Sequence, residues 1–571
     1  MSVNENTSFK LPIEYIKHNT INENIKNDLE LNNAQNKSYK SVYHNLFNVS
    51  TDIGKKATNK FSNFYTHDSK FLKDSQSIIK SIDNSKIFNI DIINNMLDNW
   101  TNIKNNDEFL MKHQYIEWDK FLFLNESVIF LTLLTIMNIF SPILQVLSPF
   151  FILLIPFFIL KIIPGQKITL SSYITILKQV FKNNAIGRLI FDFNNMSFSK
   201  KIQSVIFAGF YIFNLYQNCK SCYAFCKNQY EIHSHLQNTK TYLEYSLDTM
   251  KYFKNKTKNF NSYKQFNLSI FNYENKIQFY IDKLNFVNNS FYSYKYMSKP
   301  GNIMQFYYLM YNSKDFEDIM NYTYGFNGYM ELLNGVLNNI KNKKINKTTF
   351  STKNVCKFKD IFHPSIQNKP IKNNINLKSN KIITGPNASG KTTILKSTII
   401  NIILSQQIGF GYFNKATINP FHFIHCYINI PDNCSRDSLF QSEAKRCKNI
   451  LDSIIKNKDK RHFCVFDELY SGTNPYEAVS SATSFLKFIS KNKNVKFILT
   501  THFLKLCHLL NDNKNIENLN MKTEIKNDIP HYYYKITKGV SKIKGGICIL
   551  KQLNYPQTII DNAKFIISSL N

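Results

Sequence analysis

The chain has 571 residues, and 71 Lys and Arg against 40 Asp and Glu leave it with a formal charge of +31. At ~100–200 residues per domain it is long enough for several units. With 43% hydrophobic and 19% charged residues, wholesale disorder, a collagen-like repeat and a disulfide scaffold are excluded.

Ten scattered cysteines point to a reducing, intracellular compartment, and the first twenty residues lack the apolar core of a cleavable signal peptide. Arginine occurs only at 188, 436, 446 and 461, while Lys, Asn, Ile and Phe abound, as in an AT-rich coding sequence. A basic surface attracts nucleic acid or anionic lipid, so charge alone selects no partner.

Residues 1–120 are polar and patchily periodic, which predicts helices and loops. A hydrophobic block follows at 121–163. Its stretch from Ser127 to Leu160 has no ionisable residue, and a membrane span needs ~20 apolar residues. The run reads as one long helix, or as a tight hairpin turning near Ser141-Pro142 or Ser148-Pro149. Lys112 and Lys120 precede it, and Lys161, Lys167 and Lys178 follow. Lysine on both sides favours a transmembrane hairpin with both ends, and the ATPase part, on the cytosolic side. Residues 164–350 read as a helical lever or core region, in which uncharged 202–219 is a further membrane helix or a core helix. Cys219, Cys222 and Cys226 share one helix face without a fourth ligand, so they read as packed or juxtamembrane thiols.

After residue 350 the texture changes to short apolar runs ending in glycine or acid. Lys381–Thr384 reads as a buried strand running into Gly385-Pro386-Asn387-Ala388-Ser389-Gly390-Lys391-Thr392, with Thr393 opening a helix. This is G-x-x-x-x-G-K-[ST] in its strand–loop–helix setting, where backbone N–H groups and a helix N-terminus cradle phosphates. Lys391 is expected to reach the β- and γ-phosphates of ATP, and Thr392 to hold Mg²⁺. A second apolar strand, Phe463–Phe466, ends in Asp467, a candidate Mg²⁺ ligand, and Glu468, a candidate base for the attacking water. A third, Lys496–Thr500, leads to Thr501 and His502, a candidate γ-phosphate sensor.

GPNASGKT, DELYSGTNPYEA and TTHF together resemble the ATPase domain of the MutS family of DNA mismatch-repair proteins. Phe362-His363-Pro364, Asn373–Leu377, Ser438-Leu-Phe440-Gln-Ser-Glu443, Tyr534–Gly539 and Gly545-Gly546-Ile547 extend the resemblance over about 350–565. The transporter signature L-S-G-G-Q is absent. The resemblance implies an α/β P-loop NTPase domain of ABC/MutS-like type at 351–571, behind a mainly helical lever or clamp-like region. It further implies Mg²⁺-dependent ATP hydrolysis in a homodimer or heterodimer with composite sites. Ser438 would reach the γ-phosphate of the opposite subunit, His502 would be the switch histidine, and Ser471–Thr473 would communicate across the interface. DNA is the implied partner, held by phosphate contacts from Lys-rich helices. Three features depart from the family pattern. Arg436 stands where the signature has Gly, Pro370-Ile371 stand where an adenine-stacking aromatic is usual, and no F-x-E mismatch-reading motif lies near the N-terminus. The alternative reading is a membrane-anchored switch, held through 127–160, that acts on a protein or lipid.

Overall fold

The computed structural model describes residues 8–36, 39–162, 169–183, 197–288, 290–366, 368–428, 439–526, 529–541, 543, 547, 550–551 and 553–569. Two compact units interleave along the chain. One is Ile90–Leu247 with Asn275–Ile319; the other is Met1–Asn89, Asp248–Glu274 and Met320–Asn571. These units cut across the sequence blocks 1–120, 121–163, 164–350 and 351–571.

The first unit is helical. Its main members are α1 (Val128–Ile162), the portion of α2 (Phe198–Thr257) up to Leu247, and α3 (Pro300–Asn312). The expected hairpin within 127–160 is not formed, because α1 runs unbroken through both Ser-Pro pairs. Pro142 and Pro149 have no N–H for the carbonyls of Asn138 and Gln145, a loss that ordinarily breaks a helix. The hydroxyl of the preceding serine donates to each freed carbonyl instead, Ser141 to Asn138 at 3.4 Å and Ser148 to Gln145 at 2.8 Å. The base of α1 is fixed on α3, where a Cβ at Gly301 would lie 2.2 Å from both the Val128 carbonyl and Thr132 Oγ1. Leu131 and Thr135 are buried there, but only 11% of the apolar span Val128–Ser148 is buried. α2 runs antiparallel beside it. Tyr211 Oη donates to the Gln145 carbonyl at 3.0 Å, the Asn218 amide donates to Gln145 Oε1, and Cys222 Sγ meets the Ile139 carbonyl at 3.4 Å. Cys222 is half-buried against α1 while Cys219 and Cys226 are exposed, and among the described residues no His/Cys/Asp/Glu cluster is arranged to hold a metal.

The second unit is built on a six-stranded sheet of β1 (Asn380–Thr384), β2 (Phe423–Tyr427), β3 (His462–Asp467), β4 (Val495–Thr501), β5 (Ile516–Lys526) and β6 (Ile529–Lys538). The spatial order is β6–β5–β1–β4–β3–β2, parallel throughout except for the antiparallel β5–β6 edge. All three sequence-predicted strands are present. Phe463, Cys464, Val465 and Phe466 are fully buried, as a strand covered on both faces requires. The helices α4 (Lys391–Gln407), α5 (Leu439–Lys456) and α6 (Pro475–Ser490) follow the chain between these strands.

α4 is buried nearly all round, which marks a helix enclosed in the interior rather than laid on its surface. Its last two residues carry long amides that satisfy backbone groups of the N-terminal segment. Gln406 Nε2 donates to the carbonyls of Thr66 (3.0 Å) and Phe421 (2.8 Å), and Gln407 Nε2 donates to Phe64 (2.8 Å). The buried Glu331 carboxylate accepts from the backbone N–H groups of Ser50 (2.6 Å) and Thr51 (3.2 Å). These contacts tie Ser50, Thr51, Phe64 and Thr66 of the N-terminal segment to α4 and to the helix Lys314–Lys341 that carries Glu331. A second sheet of five short strands, drawn from 346–350, 356–361, 373–376, 410–411 and 415–418, completes the unit.

Candidate active site

β1 lies between β4 and β5, and its C-terminal end delivers the loop 385–390 into the crevice where open α/β sheets place ligands. Gly390, at φ +92°, caps α4, and a Cβ there would come within 3.1 Å of Tyr534 Cδ1. The position therefore demands glycine by conformation and by space. Ala388 (φ 61°), Glu468 (φ 52°) and Tyr470 (φ 59°) also sit in the left-handed region, at a cost of about 1–2 kcal/mol each. Such strain gathers where a surrounding structure over-determines a functional loop. The Pro386 carbonyl closes the loop by accepting from Ser389 Oγ (2.7 Å) and Lys391 Nζ (3.2 Å). Asn387, Ala388 and Thr393 face solvent, whereas Ser389 and Lys391 are buried.

Lys391 is only 5% exposed, and its Nζ lies 3.0 Å from His502 Nε2. Burial lowers its pKa, and the charges of Glu468 and Asp467 oppose that shift. Asp467 ends β3 opposite Thr500 on β4. Its Oδ2 accepts from Thr392 Oγ1 at 2.8 Å and its Oδ1 from Thr500 Oγ1. Glu468 is held by its backbone N–H on the Thr500 carbonyl (3.0 Å), and its Oε1 lies 3.0 Å from His502 Nε2. The hydrogen bond from His502 lowers the Glu468 pKa; partial burial opposes this, and the charges of His502 and Lys391 add to it. The same imidazole nitrogen faces both partners. It either accepts from Lys391 or donates to Glu468, so the tautomer and charge of His502 decide which of the two is engaged.

Lys391, Thr392, Asp467, Glu468 and His502 are therefore brought together. Ser438, Arg436, Gly545 and Gly546 lie outside the described residues. The rest of the signature segment is in place, with Phe440 against Tyr470 (ring centroids 5.6 Å apart) and Glu443 only 2% exposed. The Glu443 carboxylate accepts from Ser471 N (3.1 Å), Ser471 Oγ (3.2 Å) and Gly472 N (3.2 Å). α5 is thereby tied to the loop that follows the acidic pair.

Asn373 has a distinct role: its amide donates to the Tyr534 carbonyl (2.9 Å) and its Oδ1 accepts from Ile536 N (2.9 Å), holding β6 in register. This places the Tyr534 ring, 43% exposed, beside Gly390. Sequence reasoning looked for an aromatic near 370 and missed this one, because nothing local relates a residue on β6 to the loop after β1.

Residues 381–571 match MutS domain V. The "DNA mismatch repair protein MutS" of Finegoldia magna is 34% identical over 213 residues, which is 36% of this chain and 24% of the relative. Proteins of the same name from Prochlorococcus marinus (strain MIT 9312) and Lactococcus lactis subsp. cremoris (strain MG1363) are 33% and 28% identical over 190 and 191 residues, covering 33% of this chain in each case. The chain spans about a quarter or less of the length of these relatives. The matched segment, with the phosphate loop near its start and the acidic pair at the end of β3, identifies residues 381–571 as a MutS domain V, a P-loop ATPase-type domain.

Proposed function

We propose that the chain is a Mg²⁺-dependent ATPase of MutS type whose cycle closes and reopens a dimer, and that it acts in DNA transactions. The observation that carries the reading is the convergence of Lys391, Thr392, Asp467, Glu468 and His502 through contacts of about 3 Å at the mouth of a glycine-capped loop. Lys391, freed from Pro386 and His502, pairs with the β- and γ-phosphates of bound ATP. Glu468, kept ionised by its neighbours, accepts a proton from the attacking water, and His502 senses the γ-phosphate. Tyr534 offers an aromatic face for the base. The hard oxygens of Thr392 and Asp467 fit a small divalent cation, and Mg²⁺ held there would neutralise charge between the β- and γ-phosphates.

Glu443 supports a coupling role. It ties the signature helix to 471–473, so a change at Glu468 is passed to the face where Ser438 would meet a second subunit. The partner subunit is a copy of this chain or a related one. The mismatch-repair names of the relatives and the +31 charge favour DNA, held through its phosphates with a strong salt dependence. Sedimentation of the Glu468→Gln variant tests this: ATP should shift it to a dimer that persists. A monomer at all ATP concentrations would refute the composite site. A second reading, a membrane-anchored MutS-like switch acting on a protein or lipid, is favoured by the exposure of the apolar span in α1.

A further inference from the structure

We infer that α1 and the first half of α2 form a two-helix unit that sits in the hydrocarbon of a phospholipid bilayer, clasped by Gln145, Tyr211 and Asn218. This rests on the anchored reading and specifies how the anchor is built.

The apolar side chains of both helices face outward. Met137, Phe140 and Ile143 on α1, and Phe207, Phe210 and Phe213 on α2, are all about half exposed or more. With Ile136 and Val146 on α1 and Ile202, Ile206 and Ile212 on α2 also exposed, the apolar surface covers each helix on its outer side, away from the face turned to its neighbour, a width that a narrow packing stripe does not need. On α2 the band has sharp ends. Gln145 meets α2 between Tyr211 and Asn218, and Ile139 meets Cys222, an antiparallel register that sets residue 161 level with Lys200. On α2 the uncharged stretch 202–219 lies between Lys200-Lys201 and Lys220. At ~1.5 Å per residue it spans ~27 Å, close to the ~30 Å hydrocarbon thickness of a bilayer. On α1 the stretch facing it is likewise uncharged up to Lys161. Lysines at both ends reach toward headgroups while their stems stay in the apolar region.

The polar groups inside the band support the same conclusion. In hydrocarbon every backbone carbonyl must be satisfied within the protein. The two carbonyls freed by Pro142 and Pro149 are satisfied by Ser141 and Ser148, and that of Gln145 accepts a second bond from Tyr211. The Gln145 side chain points at its neighbour helix and is taken by Asn218, as interhelical amides are in membrane bundles. Gln203 and Gln217 lie within a turn of the bounding lysines. Asn214, about two turns inside Lys220, is the amide left facing lipid.

The test uses the full chain reconstituted into vesicles of phosphatidylcholine with phosphatidylglycerol. It should float with the vesicles and stay with them through alkaline carbonate. A cysteine introduced at Phe210 (Phe210→Cys) should refuse a membrane-impermeant maleimide, whereas the native Cys226, beyond Lys220, should take it, read by peptide mass spectrometry. Charges near mid-band, Phe207→Lys with Phe210→Lys, should reduce carbonate-resistant retention at least tenfold while leaving ATP turnover unchanged. Labelling of Phe210→Cys in carbonate-resistant protein would overturn the two-helix unit while sparing the anchored reading. Protein that stays dispersed in water without vesicles, or that salt releases from them, would overturn both. A water-soluble oligomer with Phe210→Cys protected would show the band covered by a second copy and would also overturn the inference.

Discussion

Replacing Glu443 by alanine removes the acceptor of three hydrogen bonds while leaving the nucleotide loop untouched. The Glu443 carboxylate is buried on α5 and takes Ser471 N, Ser471 Oγ and Gly472 N at 3.1–3.2 Å. Alanine leaves two backbone N–H groups without a partner, each costing about 1–3 kcal/mol, and the freed serine hydroxyl can rotate toward water. A loss of about 3–5 kcal/mol is expected, in the range for breaking a buried charged network. Glutamine keeps the shape but turns one acceptor into a donor aimed at another donor, so about half that loss is expected. Hydrogen exchange of the 468–475 peptide reads the effect directly, since each ~1.4 kcal/mol is a tenfold change in protection where that loop opens locally. ATP turnover should fall at nearly constant nucleotide affinity, because the Glu443 carboxylate bonds to Ser471 and Gly472, outside the loop 385–390. Unchanged protection in both variants would refute the claim that this carboxylate holds the loop. Equal losses of affinity and turnover would refute the claim that it acts only on the loop.

Other outcomes follow from the same geometry. Glu468→Gln should lower single-turnover hydrolysis by about 10²–10⁴-fold with ATP still bound, the range for a removed general base. Removing His502 (His502→Ala) takes away the hydrogen bond that holds the Glu468 pKa below its usual value and leaves the opposing burial, so the acidic limb of a pH–turnover profile should move to higher pH. The sign is fixed because a depressed carboxylate pKa favours the ionised form above it, and that form is lost as pH falls through it. Gly472→Ala would put a Cβ 2.6 Å from Leu439 Cγ, an overpacking cost of about 1–3 kcal/mol in chemical denaturation. Adding Leu439→Ala should recover most of that loss in a double-mutant cycle.

The site was legible in the sequence where its parts are local. The loop 385–392, the acids at the end of an apolar strand and His502 at the end of the next are short motifs whose chemistry requires one spacing. The tie between Asn373 and Tyr534 spans 161 positions along the chain, and no periodicity encodes it. The same holds for the N-terminal segment, whose place is set by Gln406 and Gln407 reaching carbonyls some 340 residues away. The hairpin expected in 127–160 failed for a different reason. Ser141-Pro142 and Ser148-Pro149 invite a turn, but in both pairs the serine hydroxyl takes the carbonyl that the proline abandons.

The central claim is that the cluster around Asp467 and Glu468 hydrolyses ATP. Phosphate release by the purified full chain, with and without Mg²⁺, beside Glu468→Gln and Lys391→Ala, tests it most directly. The account predicts Mg²⁺-dependent turnover in the parent chain, bound but unhydrolysed ATP in Glu468→Gln, and at least tenfold weaker binding in Lys391→Ala. Turnover in Glu468→Gln equal to that of the parent chain would contradict it.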